Sequence, residues 1–185
     1  MERIELEGIV DTYKKELESC IFSISQFSLL QIAQEIIDCT GTIYILGNGG
    51  SLATATHLAC DLSKNTGKPI RTDTLSELPK LTAYANDDGF EYIYLMQLLN
   101  KLRKEDIIFN ISNSGNSSNL IQASSFSKDH GSKIISILGY SGGQLKDISD
   151  LYILVPSRNI RVVEDTHSII CHMLTELVEK GSSNG

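Results

Sequence analysis

The chain has 185 residues, 41% hydrophobic and 21% charged, with a formal net charge of −7. That length suits one domain with a sizeable core, and the composition excludes a wholly disordered chain. The acidic balance, with no Lys/Arg cluster set against it, speaks against a direct nucleic-acid partner, because a phosphate backbone requires a basic footprint.

Leu6, Ile9, Val10, Tyr13, Leu17, Cys20, Ile21 and Ile24 recur at helical spacing and predict an amphipathic first helix. Ile9, Tyr13 and Leu17 on its stripe are expected in a helical subunit interface. Leu29 to Ile37 continue as a second helix, stopped by Gly41. The period then changes. Thr42–Leu46 reads as a buried strand, Gly47–Ser51 as a break and Ser51–Ser63 as a helix. The alternation recurs: a strand at Lys68–Thr74, helical stretches over Glu77–Ala85 and Gly89–Arg103, and a strand at Asp106–Ser112. Then come a helix over Ser117–His130, a strand at Lys133–Leu138 and a short glycine-rich turn. A strand at Leu151–Pro156 and a long helix over Val162–Lys180 finish the pattern. Residues 181–185 are a polar tail. About five apolar strands joined through helices predict an α/β fold, a three-layer α-β-α sandwich with a five-stranded parallel sheet covered on both faces. Residues 1–40 supply leading helices and 41–180 the sandwich of a single domain.

The four cysteines, Cys20, Cys39, Cys60 and Cys171, form no CxxC pair, so buried thiols in a reducing compartment are expected. The N-terminus has no signal-peptide pattern, and no apolar run reaches the roughly 20 residues of a membrane span. A cytoplasmic protein without membrane association is expected.

In parallel sheets, ligands bind beyond the carboxyl ends of the strands. The first strand ends in Gly47-Asn48-Gly49-Gly50-Ser51. Its glycines permit close backbone approach, and Ser51 suits the cap of a helix whose N-terminus attracts anions. A tight turn without a ligand accounts for this loop equally well. It is not a dinucleotide fingerprint, since Leu52 stands where a third glycine belongs, and no nucleotide cofactor is expected. A later strand ends in Ser112-Asn113-Ser114-Gly115-Asn116-Ser117-Ser118. A capping loop needs one serine; this density of neutral donors points to a phosphate cradle without a basic residue.

His57 and Asp61, four residues apart, share a helix face. On the final helix Glu164 and His172 lie about 80° apart; Asp165 aligns better with His172, and His167 lies about 140° around. Two imidazoles and two carboxylates suit either a metal such as zinc or an acid/base pair. Taken singly, each residue is more often a structural side chain.

Together these segments resemble the sugar isomerase (SIS) domain family and, within it, the phosphoheptose isomerases. The resemblance runs through GNGGS, HLACDLSK (His57–Lys64), ANDDGFEYIY (Ala85–Tyr94), ISNSGNSSN (Ile111–Asn119), the GYSGG turn (Gly139–Gly143) and VEDTHSIICHML (Val163–Leu174). It implies a flavodoxin-like SIS fold and a homotetramer with active sites at subunit boundaries. It implies aldose–ketose isomerisation of a small phosphorylated sugar, sedoheptulose 7-phosphate to D-glycero-D-manno-heptose 7-phosphate, through an enediol. By position, Asn48, Gly49, Gly50 and Ser51 would line the sugar-phosphate site, and Asn86 and Asp87 would contact the sugar. Ser112, Asn113, Ser114 and Ser117 would hold the phosphate. Asp61 and His172 match the family's acid/base pair, and His57, Asp61, Glu164 and His172 match the zinc ligands of some members. The chain departs from the family at Asp61, usually Glu; at Glu164, usually Gln and otherwise placed to meet substrate; at Arg161, commonly Asp; and at Asn113, usually Thr. The alternative is a non-catalytic protein on the same fold, since the family includes a tetrameric binder of the bacterial replication initiator and sensors of sugar phosphates. A scaffold has no need of the polar quartet, which favours the enzyme.

Overall fold

Two helices lead the chain, α1 (Arg3–Ser23) and α2 (Gln26–Asp38), bent by 66° from one another. Ser25 makes the corner by accepting the Ser28 N–H at 3.2 Å, which satisfies an otherwise orphaned donor of α2. The computed structural model describes residues 3–67 and 70–182. After α2 come β1 (Ile43–Leu46), α3 (Gly50–Lys64), β2 (Thr72–Asp73) and α4 (Leu78–Asp87). A 3-10 turn (Phe90–Tyr92) and the single-turn α5 (Leu95–Leu98) lead to β3 (Ile107–Ser112) and α6 (Ser118–Asp129). The chain finishes with β4 (Lys133–Gly139), α7 (Gly143–Ile148), β5 (Leu151–Val155) and α8 (Ile160–Ser182).

The five strands form one parallel sheet in the order β2-β1-β3-β4-β5. Every residue of β1 and β3 is buried, as expected of strands covered on both faces. Ile43, Ile45, Phe109 and Ile137 point into a core shared with α2, α3 and α8, while Tyr44, Leu46, Ile108 and Leu138 point into a second core toward α5, α6 and α7. This is the expected three-layer sandwich. Each buried Leu, Ile or Phe contributes about 1.5–3 kcal/mol. The chain leaves β1 toward β2 on one side and returns as β3 on the other, so the crevice at the carboxyl ends of β1 and β3 is a topological switch point.

Three local readings are corrected. The predicted helix over Gly89–Arg103 is broken into the 3-10 turn and α5. Gly89 has φ 107°, the Tyr94 hydroxyl donates to the Gly47 carbonyl at 2.5 Å, and the Gln97 amide donates to the carbonyls of Leu75 and Ile93. These tertiary bonds override helix propensity. Only Thr72–Asp73 of the second predicted strand pairs, at the sheet edge; Lys68 and Pro69 lie outside the described residues. The final helix runs on to Ser182, and residues 183–185 lie outside the described residues.

The stripe expected at a subunit interface is divided. Tyr13 and Leu17 lean on the core of their own chain, and the Tyr13 hydroxyl donates to Asp165 at 2.5 Å. Ser157, in the loop that precedes α8, donates to Glu16 at 2.6 Å, so the two bonds tie α1 to the start of α8 and to the loop before it. Ile9 stays exposed, as do Phe22 and Phe27 beside the α1–α2 corner. Among the described residues no single helix is long and apolar enough to cross a membrane.

Candidate active site

The loops that follow β1 and β3 face each other across the switch point. Asn48, Ser51, Ser112, Asn113, Ser114, Ser117 and Glu164 line a cavity of about 150 Å³ there, floored by Ile111 and Leu120. Gly49 and Gly50 connect Asn48 to Ser51 at the start of α3, where Gly49 has φ 54° and ψ −123°, a backbone state that favours glycine. Gly49, not Ser51, is the residue at the N-cap. The left-handed turn starts the helix early enough to bury Ser51 in its first turn, so the serine lines the cavity instead of capping.

The β3 loop is wound so that its hydroxyls are free to donate. Ser112 Oγ accepts the Gly115 N–H and Ser114 Oγ accepts the Asn116 N–H, both at 3.1 Å. Each hydroxyl thereby keeps its own proton for a ligand. Ser117 stands at the N-cap of α6 without capping it through its side chain, so its hydroxyl is not used up there. A second turn buttresses the loop. Leu145 N–H donates to the Gly115 carbonyl and Gln144 N–H to Asn116 Oδ1. Gly115 has φ 63°, and a methyl group on it would lie 1.8 Å from the Gly142 carbonyl oxygen. The GYSGG turn thus holds the serine loop from behind.

Helices α3 and α8 lie side by side and run parallel. Gly50 touches Glu164, Thr54 Oγ1 approaches Ser168 Oγ at 3.5 Å, and His57 meets His172, so the contacts advance together. The far end of this pair gathers three titratable groups. The His57 and His172 rings pack edge to face with centroids 5.1 Å apart, and His57 Nε2 lies 3.5 Å from Asp61 Oδ2. One ligand atom from each of His57, Asp61 and His172 lies within 4.8 Å of the other two. A tetrahedral zinc site with bonds of about 2.1 Å has edges of about 3.4 Å. The His57–Asp61 pair already has that spacing, and a small closure brings in His172. The donor set fits zinc, and three protein ligands leave a fourth position open for water or substrate. Asn65 Nδ2 donates to the other carboxylate oxygen of Asp61 at 3.2 Å and orients it. Cys171 is adjacent but buried; burial, then the Asp61 charge, pushes its thiol up to about 12, so it stays neutral.

Glu164 does not join the three. Its carboxylate accepts from Asn113 Nδ2 at 3.0 Å and lies over Gly50, at the cavity. Asp165 is engaged by Tyr13, and His167 is buried in the core with the Leu138 backbone nearby but neither ring nitrogen in a well-formed hydrogen bond. Asn86 and Asp87 are exposed at the end of α4, bonded to each other at 2.7 Å, and do not line the cavity. Two supporting residues escaped the sequence reading. Tyr94 fastens the Gly47 carbonyl under the first loop, and Asn119 pairs with Asn48. Both stand within segments singled out by the motif reading, but only the folded contacts reveal their roles.

Residues 23–139 match the SIS domain family. The chain is 36% identical to a phosphoheptose isomerase of Helicobacter pylori (strain P12), over 92% of this chain and 90% of that one. It is 34% identical to a phosphoheptose isomerase of a Nitratiruptor species, over 97% and 98%. Its fold is similar to that of a phosphoheptose isomerase from Francisella tularensis, with a TM-score of 0.88 at 25% identity over 97% and 100% of the two chains. The phosphoheptose isomerase of Neisseria gonorrhoeae is similar with a TM-score of 0.87 at 26% identity over 95% and 98%.

Proposed function

The chain belongs to the SIS domain family and is a sugar-phosphate isomerase of the phosphoheptose isomerase type, and we propose that it interconverts sedoheptulose 7-phosphate and D-glycero-D-manno-heptose 7-phosphate. The observation that carries this reading is the arrangement of two polar clusters along one helix pair. The serine-lined cavity would take the phosphate, and the His57–Asp61–His172 cluster would act on the reacting carbons. Glu164 and His172 mark the two ends. Eight residues at 1.5 Å each put them about 12 Å apart along α8. An extended chain advances about 3.3–3.6 Å per three bonds, so the seven bonds from phosphorus to C2 of a heptulose 7-phosphate span about 8 Å. Side-chain reach covers the rest, which favours a long sugar chain.

In the ketose-to-aldose direction a base removes a C1 proton. The C–H electron pair becomes the C1=C2 bond, and the C2 carbonyl oxygen takes a proton to give the enediol. The C1 hydroxyl then loses its proton as C1=O forms, and C2 is protonated. Asp61 and His172 are placed close enough together to share these transfers, each contributing about 10²–10⁴-fold. Zinc held by His57, Asp61 and His172 would instead engage those side chains as ligands and supply Lewis-acid polarisation of the carbonyl. Asn48 and Ser51 would orient the sugar phosphate, with Gly49 and Gly50 giving its backbone access. The exposed Phe22 and Phe27 support self-association, for which the assembly we propose is a homotetramer in the cytoplasm.

Incubation with sedoheptulose 7-phosphate in deuterated water tests the reading. Formation of the aldose phosphate with deuterium at C2 supports it. Turnover of only shorter ketose phosphates would overturn the substrate, and no exchange with any of them would overturn the proposed chemistry.

A further inference from the structure

The carboxamides of Asn48 and Asn119 form a closed two-bond ring between the β1 loop and the first turn of α6. Asn48 Nδ2 donates to Asn119 Oδ1 at 3.0 Å, and Asn119 Nδ2 donates back to Asn48 Oδ1 at 2.8 Å. Asn119 is fully buried, whereas Asn48 is half-buried and lines the cavity. The ring alone would be satisfied with both amides turned over. A third bond removes that freedom. The Leu120 backbone N–H faces Asn119 Oδ1 at 3.0 Å, and a backbone N–H can only donate, so the Asn119 atom facing it must be oxygen. The Asn119 amide nitrogen then has to face Asn48, and Asn48 can answer it only with oxygen.

We infer that Asn119 is a positioning residue that fixes which way the Asn48 amide faces the site. The inference rests on the reading of this cavity as the sugar-phosphate site. An amide has two N–H donors and two carbonyl lone pairs. The ring uses one of each on Asn48, leaving one N–H and one lone pair to meet a substrate hydroxyl as donor and acceptor together. Asn119 itself never touches the ligand. Its oxygen is saturated by Asn48 and Leu120, and its effect on binding passes through Asn48 alone.

The test is a double-mutant cycle on the full chain, read by calorimetry with sedoheptulose 7-phosphate and, separately, inorganic phosphate. Asn48→Ala and Asn119→Ala are each expected to weaken the sugar phosphate by about tenfold. Binding of inorganic phosphate should change by less than about twofold, because the serine loop is untouched. The double variant should bind no worse than Asn48→Ala, because residues acting through one contact are not additive. Should Asn119→Ala fold poorly, Asn119→Ser keeps a hydroxyl beside the Leu120 N–H but is too short to reach Asn48, and it should show the same selective loss. Multiplied losses in the double variant, or wild-type sugar-phosphate binding in either Asn119 variant while Asn48→Ala is impaired, overturn the positioning role. Wild-type binding in Asn48→Ala instead overturns the cavity reading, and the inference with it.

Discussion

The Glu164 carboxylate accepts a hydrogen bond from Asn113 Nδ2 at 3.0 Å, which sets a negative charge into a cavity otherwise lined by neutral hydroxyls and amides. That charge opposes a phosphate. Glu164→Gln keeps an oxygen for Asn113 and removes the repulsion, which over this range is on the order of 1 kcal/mol. Inorganic phosphate is expected to bind about fivefold more tightly to the variant at low salt, and the gain should shrink as salt rises. Calorimetry finding equal or weaker phosphate binding at low salt would place the phosphate away from Glu164.

The contact of the serine loop with the GYSGG turn is expected to be intolerant of a single methyl group. Gly115→Ala places that group 1.8 Å from the Gly142 carbonyl oxygen at φ 63°, so the two loops must separate. A loss of about 2–4 kcal/mol in urea unfolding is expected. Gly49→Ala is the control: φ is 54° and ψ −123° there but nothing lies within 4 Å, so only the backbone penalty of about 1–3 kcal/mol remains. Equal losses at the two positions would show that the contact with Gly142 contributes nothing.

These contrasts also show what a one-dimensional reading captures. Ile43–Leu46 and Ile107–Ser112 are legible as strands because apolar runs bounded by glycine or serine have few other uses. The serine loop is legible by density alone. The helix break after Gly89 is not, because it is enforced by Tyr94 reaching the Gly47 carbonyl 47 residues away. Asp165 and His167 look as available as Glu164 on a helical wheel, yet one is engaged by Tyr13 and the other faces the core. The wheel also hides distance along the axis. It shows Glu164 and His172 on neighbouring faces, while the folded chain sets them at opposite ends of the site, about 12 Å apart along the helix.

His167 makes folding stability depend on pH. Burial lowers its pKa from 6.5 to about 4, so below pH 6.5 the unfolded chain takes up a proton that the folded chain refuses. Its contribution is therefore full above pH 6.5 and is lost as pH falls toward 4, by roughly 3 kcal/mol in all. Urea unfolding of the wild type and His167→Leu between pH 7 and 4.5 measures it. The wild type should lose stability more steeply with falling pH than the variant. Parallel curves would mean that His167 does not take part.

The exposed apolar residues at the α1–α2 corner are expected to close an assembly. Phe22 and Phe27 are 82% and 70% exposed. Beside them Ile21, Leu29, Met173 and Leu177 line a groove of about 720 Å³ that reaches His172. Light scattering at micromolar concentration should give about 80 kDa for a chain of 20.4 kDa. Phe22→Asp combined with Phe27→Asp should lower that mass, because a buried charge without a partner is costly. A wild-type monomer would refute the tetramer.

The zinc site is expected to need three residues rather than four. His57, Asp61 and His172 offer atoms within 4.8 Å of one another, whereas the Glu164 carboxylate lies against Asn113 and Gly50, at the other end of the helix pair. Titration of zinc into the metal-free protein in phosphate-free buffer should give one ion per chain. Changes to partners that only orient a ligand already cost 10–100-fold, so His57→Ala and His172→Ala should each cost at least about that. Glu164→Gln should stay within about twofold of the wild type. Cys171→Ser should do the same, because the buried Cys171 sulfur is not among the ligand atoms that gather with His57, Asp61 and His172. A loss in Glu164→Gln as large as in His57→Ala would make Glu164 a ligand after all. The cavity carboxylate would then have to swing toward the histidines, or meet them from a neighbouring copy, and a mixture of Glu164→Gln and His57→Ala chains separates those two routes. Zinc binding regained in the mixture means ligands shared between chains; binding that stays lost means movement within one.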